Sequence, residues 1–251
     1  MTSSHINFIR PQVLNDDQIS SWFSLRNHET LHKQNRIPGL NLGLNTDEEK
    51  EIVLNNRKLL GNEIGVKENQ IAYASQVHKT HVEIVEKAGI YPDTDAMVTR
   101  VTDLALAIQV ADCVAVLLGD PVNRIIGAVH AGWRGAANDI IPKTIAKMLT
   151  LGAETKQIYG FLGPCISLGS FEVGEEVATQ FPNEYVDREH YNKPHIDLKA
   201  FINFQLLNEG MLDSKIELDT HCTINDERFY SYRRQKEKSG RMMGIIKLKP
   251  S

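Results

Sequence analysis

The chain has 251 residues, of which 41% are hydrophobic and 24% charged, and its formal net charge is −4. These values are typical of a globular protein with its own core, and they give no sign of nucleic-acid or anionic-membrane binding. No apolar run approaches the roughly 20 residues that span a bilayer, and residues 1–5 lack the pattern of a signal peptide. Three cysteines are too few for a disulfide framework, so the sequence predicts a cytoplasmic protein with one domain over residues 1–251.

The hydrophobic pattern predicts strands and helices that alternate through the middle of the chain. A helix is expected over residues 47–60, with Thr46 as its N-cap and Glu49 in capping-box position. Strands at 71–77 and 81–85 surround a short turn and predict a hairpin-like pair, and a tail strand at 244–248 is expected at a sheet edge. Further strands are predicted at 104–110, 114–118, 125–129, 158–162 and 215–218, and further helices at 136–149, 173–181 and 198–208.

The strands at 104–110 and 114–118 are continuously apolar, which is typical of central strands without a wet face. Together with the alternating order, this predicts an α/β (α+β) fold in which helices cover the outer faces of mixed sheets.

Three short motifs carry the chemistry: Gln76-Val77-His78, Ala111-Asp112-Cys113 and His130-Ala131-Gly132-Trp133-Arg134-Gly135. Their His and Cys residues lie at the ends of predicted strands, where α/β sheets place ligands. Two imidazoles and a thiol make a three-ligand set for a zinc-type ion with one open position. The same trio could be a cysteine nucleophile with a histidine base. The spacing leaves both interpretations open.

The other candidate positions are weaker. The turn at Gly132–Gly135, with Arg134 at the start of a helix, indicates an anion-binding position. The remaining cysteines, Cys165 and Cys222, are interpreted as structural, and His81 is left out of the metal set because its strand-turn position does not bring it beside His78.

With these motifs the chain resembles the YfiH family, also called the laccase-domain or multicopper polyphenol oxidase family, over nearly its whole length. The resemblance is carried by Asn41-Leu42-Gly43-Leu44, Asn56-Arg57, Gln76-Val77-His78, Asp95-Ala96-Met97-Val98-Thr99, Ala111-Asp112-Cys113, His130-Ala131-Gly132-Trp133-Arg134-Gly135, Gly163-Pro164-Cys165-Ile166, Phe171-Glu172-Val173, Ser231-Tyr232-Arg233-Arg234 and Gly240-Arg241-Met242-Met243-Gly244.

The resemblance implies a four-layer α/β/β/α sandwich with zinc held by His78, Cys113 and His130. It implies purine nucleoside phosphorylase activity on adenosine, inosine, guanosine and methylthioadenosine, together with adenosine deaminase activity. Descriptions of the family also give a copper-dependent polyphenol oxidase and a role in peptidoglycan editing. The fold is similar to the catalytic domain of cytotoxic necrotizing factor, which implies a cysteine hydrolase or amidase with a Cys113–His pair as the alternative.

The histidine content separates some of these activities. A multicopper oxidase needs many histidines, commonly in His-x-His pairs, whereas this chain has nine histidines and no such pair. One Cys and two His suit zinc, although copper would also bind them in vitro. The usual zinc-deaminase signature is absent, so deamination would use another arrangement.

The expected partners are purine nucleosides and phosphate, without nucleic acid or membrane, and the sequence does not give the oligomeric state. Asp112 is the candidate proton shuttle, with a structural carboxylate as the alternative. The candidate substrate contacts are Asn41, Arg57, Gln76, Arg134 and Arg233, and the arginines among them are the cations available to phosphate.

Overall fold

The computed structural model describes residues 6–28 and 35–250. Residues 1–5, where the sequence gives no signal peptide, lie outside this range. Within the described residues the chain forms fourteen strands and six α-helices, and none of these helices combines the length and apolar character needed to cross a membrane.

The strands are β1 (Phe8–Ile9), β2 (Ile19–Ser24), β3 (Ile71–Ala74), β4 (Val82–Ile84), β5 (Gly89–Tyr91), β6 (Ala96–Thr99), β7 (Ala105–Val110), β8 (Val114–Asp120), β9 (Ile125–Ala131), β10 (Tyr159–Leu162), β11 (Val186–Asp187), β12 (His195–Ile196), β13 (Ile216–Leu218) and β14 (Met242–Leu248). The helices are α1 (Lys50–Ile64), α2 (Trp133–Ala137), α3 (Ile140–Thr150), α4 (Glu175–Ala178), α5 (Leu198–Asn208) and α6 (Tyr232–Gln235). Short 3-10 helices lie at Glu68–Gln70, Thr155–Gln157, Leu168–Ser170, Asn183–Tyr185, Asp213–Lys215 and Lys236–Lys238.

Two six-stranded sheets form the centre of the molecule. The first has the order β1-β2-β14-β7-β3-β5 and the second the order β13-β10-β8-β9-β6-β4, while β11 and β12 pair separately. Each large sheet mixes pairings: β7 pairs antiparallel with β14 and parallel with β3, and β10 pairs antiparallel with β8 and parallel with β13. The predicted α/β fold with mixed sheets is therefore confirmed.

The alternation of side chains along the strands produces four layers. In β7, Leu106 and Ile108 face the second sheet, while Ala105 and Ala107 face α1. In β8 the odd and even positions divide in the same way between the first sheet and the helices α3 and α5. Both faces of each sheet are thus buried, and each fully buried Leu or Ile contributes about 1.5–3 kcal/mol.

Several predicted elements differ from those observed. Strands β3 and β4 do not form a hairpin, because the chain crosses between the sheets after Ala74 and each strand pairs elsewhere. The predicted edge strand is wrong, since β14 lies between β2 and β7 with both faces covered. Only a four-residue helix, α4, forms within 173–181.

Two helix boundaries also differ from the predictions. Helix α1 begins at Lys50 without a side-chain cap, because the Thr46 hydroxyl donates instead to Gly43 O at 2.8 Å. The single helix predicted over 136–149 is two helices, separated where Asp139 has a φ of 65°. Pro142 then lies in the first turn of α3, where its missing N–H costs no helical hydrogen bond.

The crossings between the sheets position the candidate site. Because β3 and β7 are parallel neighbours, their carboxyl ends lie at the same edge, and from that edge the chain passes to β4 and to β8 in the second sheet. His78 lies on the first crossing and Cys113 on the second. Strand β9 pairs with β8 so that His130 is opposite Ala115, which brings the third residue to the same place.

Candidate metal centre and substrate cavity

His78, Cys113 and His130 come together as one cluster. Their ligand atoms all lie within 4.8 Å of one another, and the three residues could hold a metal ion. The two imidazole rings meet edge to face with centroids 4.7 Å apart. His130 is buried, Cys113 is half-buried and His78 is exposed, so the cluster has one side open to solvent.

Two residues with left-handed backbone lie on the segments that cross between the sheets and help to place those segments at this cluster. His78 has a φ of 58° and Asp112 a φ of 84°, a region that costs energy for residues other than glycine and is enriched at functional sites. At Asp112 the turn reverses the chain between β7 and β8, so the next residue, Cys113, is presented at the edge of both sheets.

Asp95 connects two of the three residues. This fully buried carboxylate accepts hydrogen bonds from the backbone N–H groups of Val77, His78 and Lys79 at 3.2, 2.9 and 2.9 Å. Its Oδ1 lies 2.8 Å from Nδ1 of His130. Because a carboxylate only accepts hydrogen bonds, the proton of the neutral His130 ring is on Nδ1, which leaves Nε2 as the available ligand atom.

Cys113 and His130 strongly affect each other's pKa when no metal is bound. Burial alone would raise the pKa of the Cys113 thiol, but the charge of His130 and hydrogen bonds from both histidines lower that pKa to about 6. Burial would lower the pKa of His130, but the Cys113 thiolate and Asp95 raise it to about 9. Without metal the pair is therefore a thiolate beside an imidazolium at neutral pH.

The donor set fits a zinc-type ion. Zinc bonds to His N and Cys S of about 2.0–2.3 Å place tetrahedral ligands roughly 3.5 Å apart, so these residues need little movement to reach a shared ion. Close packing supports the arrangement, because a Cβ added at Gly132 would lie 3.0 Å from Cys113 Sγ and 3.4 Å from His78 Cδ2. Only glycine leaves this space beside the sulfur.

A cavity of about 700 Å³ opens in front of the cluster, and all three candidate ligands line it. This volume lies within the range of small-molecule sites, about 300–1,000 Å³. Its walls combine aromatic rings with guanidinium groups, and the lining includes Tyr73, Trp133, Phe171, Tyr232, Arg57 and Arg241. The cavity can therefore enclose a flat apolar group and an anion at the same time.

Three of the five predicted substrate contacts line this cavity. Arg57 is buried, with its guanidinium 4.2 Å from the Tyr73 ring. The Gln76 amide exchanges hydrogen bonds with the backbone of Gln109 at 2.7 and 2.8 Å, which keeps Gln76 at the cavity wall. Arg233 is exposed at the rim, and its Nη1 donates to Glu172 O at 2.9 Å.

The other two predicted contacts, Asn41 and Arg134, are not among the lining residues. Asn41 is fully buried, and its Oδ1 accepts hydrogen bonds from the N–H groups of Gly43 and Arg241. Arg134 is exposed and stacks on Trp133 at 4.3 Å. The structure therefore gives Asn41 a role in holding the cavity wall and keeps the Arg134 guanidinium outside the cavity.

Asp112 lines the cavity beside Cys113, but both of its carboxylate oxygens accept hydrogen bonds from the protein. Oδ1 accepts from the Thr223 hydroxyl and Oδ2 from the N–H of Arg233, each at 2.6 Å. These bonds connect the second crossing to the segment that carries Arg233.

Sequence reasoning missed Asp95 and Arg241 as site residues. Both are within motifs that carry the family resemblance, but neither lies beside a histidine or cysteine in the sequence. The available signal for Asp95 was a carboxylate placed directly before an apolar strand, where a buried charge requires partners.

The residues that sequence analysis leaves out of the site have other contacts. His81 pairs with Glu83 at 2.9 Å. Cys165 is buried, and Cys222 accepts hydrogen bonds from the N–H and hydroxyl of Ser167 at 3.4 and 3.1 Å.

Known proteins match this chain over most of its length. The family model described as multi-copper polyphenol oxidoreductase laccase matches residues 21–249. A purine nucleoside phosphorylase of Corynebacterium glutamicum is 36% identical over 221 residues, which cover 85% of this chain and 88% of the relative. A purine nucleoside phosphorylase of Deinococcus radiodurans is 37% identical over 214 residues, which cover 84% of this chain and 82% of the relative.

Solved structures give the same fold. A Neisseria meningitidis protein matches with a TM-score of 0.84 and 30% identity, over 97% of this chain and 100% of that one. YlmD of Geobacillus stearothermophilus matches with a TM-score of 0.89 over 100% and 98% of the two chains, and at 24% identity this likeness supports the fold alone.

Proposed function

The chain belongs to the family of multi-copper polyphenol oxidoreductase laccases, and we propose that it is a purine nucleoside phosphorylase with zinc at His78, Cys113 and His130. The observation that carries the proposal is the three-residue cluster opening onto a cavity of nucleoside size that also contains arginine side chains. Relatives at 36% and 37% identity bear that activity in their names.

The cavity supplies what phosphorolysis requires. The reaction breaks the C1′–N9 bond of the nucleoside and forms a bond from C1′ to a phosphate oxygen, so phosphate must be held against the ribose while the base leaves. Guanidinium groups bind phosphate in paired hydrogen bonds, and Arg57, Arg233 and Arg241 are the cations on the cavity wall. The aromatic rings on the wall can stack on a purine.

Zinc with an open coordination position lowers the pKa of a water bound there to about 7, which is the chemistry that an adenosine deaminase activity in this cavity would use. The protein's own contribution is to fix the ligands: Asp95 keeps the Nδ1 proton on His130, and its backbone hydrogen bonds hold the His78 turn. The same proposal includes methylthioadenosine among the substrates and a cytoplasmic location.

The hydrogen bonds of Asp112 support a positioning role. With both carboxylate oxygens already accepting hydrogen bonds, Asp112 anchors the backbone of Arg233 at the cavity rim. Its role as a proton shuttle stays a prediction.

One observation favours the alternative, a cysteine hydrolase or amidase. Cys113, His130 and Asp95 form a thiol–imidazole–acid series, and this order matches that of a nucleophile, its base and the residue that orients the base. A copper oxidase is not proposed, because the described part of the chain holds only this one cluster of His, Cys, Asp and Glu ligands and a laccase needs several coppers.

A nucleoside panel tests the proposal. Adenosine incubated with phosphate should release adenine and ribose 1-phosphate, whereas without phosphate only inosine should form. Cytidine and uridine serve as matched controls and should stay intact. Chelation should stop both purine reactions.

The alternative predicts a different result in the same assay. If Cys113 is a nucleophile, chelation should leave amide or ester hydrolysis intact or raise it, because the thiolate becomes more reactive without the metal. Chelator-resistant turnover of an amide, with no phosphate-dependent release of purine base, would overturn the phosphorylase.

A further inference from the structure

One short segment, residues 41–43, holds two arginines at the cavity wall. Arg57 Nε donates to Leu42 O at 3.0 Å. The N–H of Arg241 donates to Asn41 Oδ1 at 2.9 Å, and the N–H of Leu42 donates to Arg241 O at 3.1 Å. Both arginines line the cavity together with Cys113, so the segment fixes them relative to each other and to the candidate metal centre.

Arg241 is held in place from two sides. Its Nη1 donates to Ser239 O and Gly240 O at 2.9 and 3.0 Å. A Cβ added at Gly43 would lie 2.4 Å from Arg241 Cγ, so the stem of the arginine occupies the space that only glycine leaves. The guanidinium is therefore preorganised and needs little ordering to bind a ligand.

Among the described residues neither guanidinium forms a direct ion pair with a carboxylate, although Glu68 acts on Arg57 and Asp112 on Arg241 from a greater distance. Among the described residues no Asp or Glu oxygen lies within ion-pair distance of Arg57 or Arg241, although Arg57 is buried and Arg241 half-buried. Arginines that are withdrawn from water are almost always paired. Two arginines without a direct carboxylate partner beside a cavity are suited to an anionic ligand.

We propose that Arg241 and Arg57 form the phosphate subsite of the cavity, with Arg241 as the main contact because its stem packs against Gly43 and its backbone is held by Asn41. This inference rests on the proposed phosphorolysis. In that reaction dihydrogen phosphate forms the new bond to C1′, the base leaves with the electrons of the C1′–N9 bond, and one phosphate proton ends on the base. Two guanidinium forks would hold the remaining phosphate oxygens.

The two other arginines near the site are less suited. Arg134 stacks on Trp133 outside the cavity. Arg233 is exposed at the rim of the cavity, so its guanidinium is not withdrawn from water as those of Arg57 and Arg241 are. Neither arginine is held by residues 41–43, the segment that holds Arg57 and Arg241.

Steady-state kinetics with Arg241→Met provides the test. The phosphate KM should rise by about ten- to a hundredfold, the effect of losing a charge-assisted hydrogen bond, while the adenosine KM stays within roughly twofold. Arg241→Lys keeps the charge without the fork and should give a smaller rise. Arg100→Met, an exposed arginine outside the cavity, is the matched control and should leave both constants unchanged.

Calorimetry with inorganic phosphate, without nucleoside, separates this inference from the proposed function. The wild type should bind phosphate and Arg241→Met should not, even if no nucleoside is cleaved by either. If Arg241→Met does not fold, as judged by circular dichroism, Arg241→Lys takes its place in both measurements. Wild-type phosphate KM and affinity in the Arg241 variant, or a rise caused by Arg134→Met instead, would overturn the assignment.

Discussion

Replacing Asp95 by Asn tests how the metal centre is held. The change keeps the size of the side chain but turns one oxygen into an NH₂ group. Oδ2 accepts from the N–H groups of Val77 and Lys79, and Oδ1 accepts from the N–H of His78 and from Nδ1 of His130. With the NH₂ group at the Oδ2 position, the N–H groups of Val77 and Lys79 face a donor. At the Oδ1 position, the N–H of His78 faces a donor, and so does His130 while its proton is on Nδ1.

The cost follows from these contacts. A hydrogen bond to a charged acceptor contributes about 1.5–3 kcal/mol, so two lost bonds predict a decrease of about 3–6 kcal/mol in the free energy of unfolding. Because His130 also loses the group that fixes its ring, zinc affinity should fall by about 10–100-fold. Urea unfolding measures the first quantity and competition with a chromophoric chelator the second.

Asp120→Asn is the matched control. Asp120 is also fully buried and accepts from the N–H of Glu154 and of Asn123, both at 2.9 Å, but it lies away from the cavity. This variant should lose stability without losing zinc affinity. Equal zinc affinity in the wild type and Asp95→Asn would refute the positioning role, as would an equal loss of zinc affinity in both variants.

Two further predictions concern the surroundings of Cys113. Gly132→Ala should lower zinc occupancy, because the new Cβ would crowd the Cys113 sulfur. Elemental analysis measures the occupancy, and Gly169→Ala is the control because its Cβ meets only the end of a tyrosine side chain. Full zinc occupancy in Gly132→Ala would contradict the packing argument. In chelated protein, Cys113 should react with iodoacetamide at a rate that falls by half near pH 6, since its lowered pKa keeps the thiolate present above that pH. Cys165, whose pKa is raised to about 12 by burial, should stay unmodified, and a Cys113 profile centred near pH 9 would argue against the thiolate–imidazolium pair.

The sequence predicted most of the secondary structure because the apolar runs are strong local signals. The strand at 104–110 and the helix at 198–208 agree with β7 and α5 to within a residue. The hydrophobic pattern does not show which strands pair with each other. Nothing in residues 71–85 shows that β3 and β4 belong to different sheets, and nothing in residues 244–248 shows that β14 is covered on both sides. Pairing depends on partners distant in the chain.

In the candidate site, too, the sequence indicates some residues, whereas others depend on contacts between distant parts of the chain. His78, Cys113 and His130 were recognisable because metal-ligand chemistry is restricted to a few residue types, and the structure brings them together. The place of Arg134 in a turn before a helix indicates an anion contact, but the direction of its side chain is set by packing on Trp133. The sequence does not indicate Arg241, because its position beside the cavity depends on contacts with residues 41–43, about two hundred positions away.

Adding zinc back to the chelated protein while measuring phosphate-dependent release of adenine from adenosine tests the central claim most directly. The account predicts no release from the metal-free protein, a rate that rises in proportion to added zinc, and a plateau at about one zinc per chain. Cys113→Ala should show neither the zinc binding nor the rise. Full phosphorolysis by the metal-free protein, or by Cys113→Ala, would contradict the account.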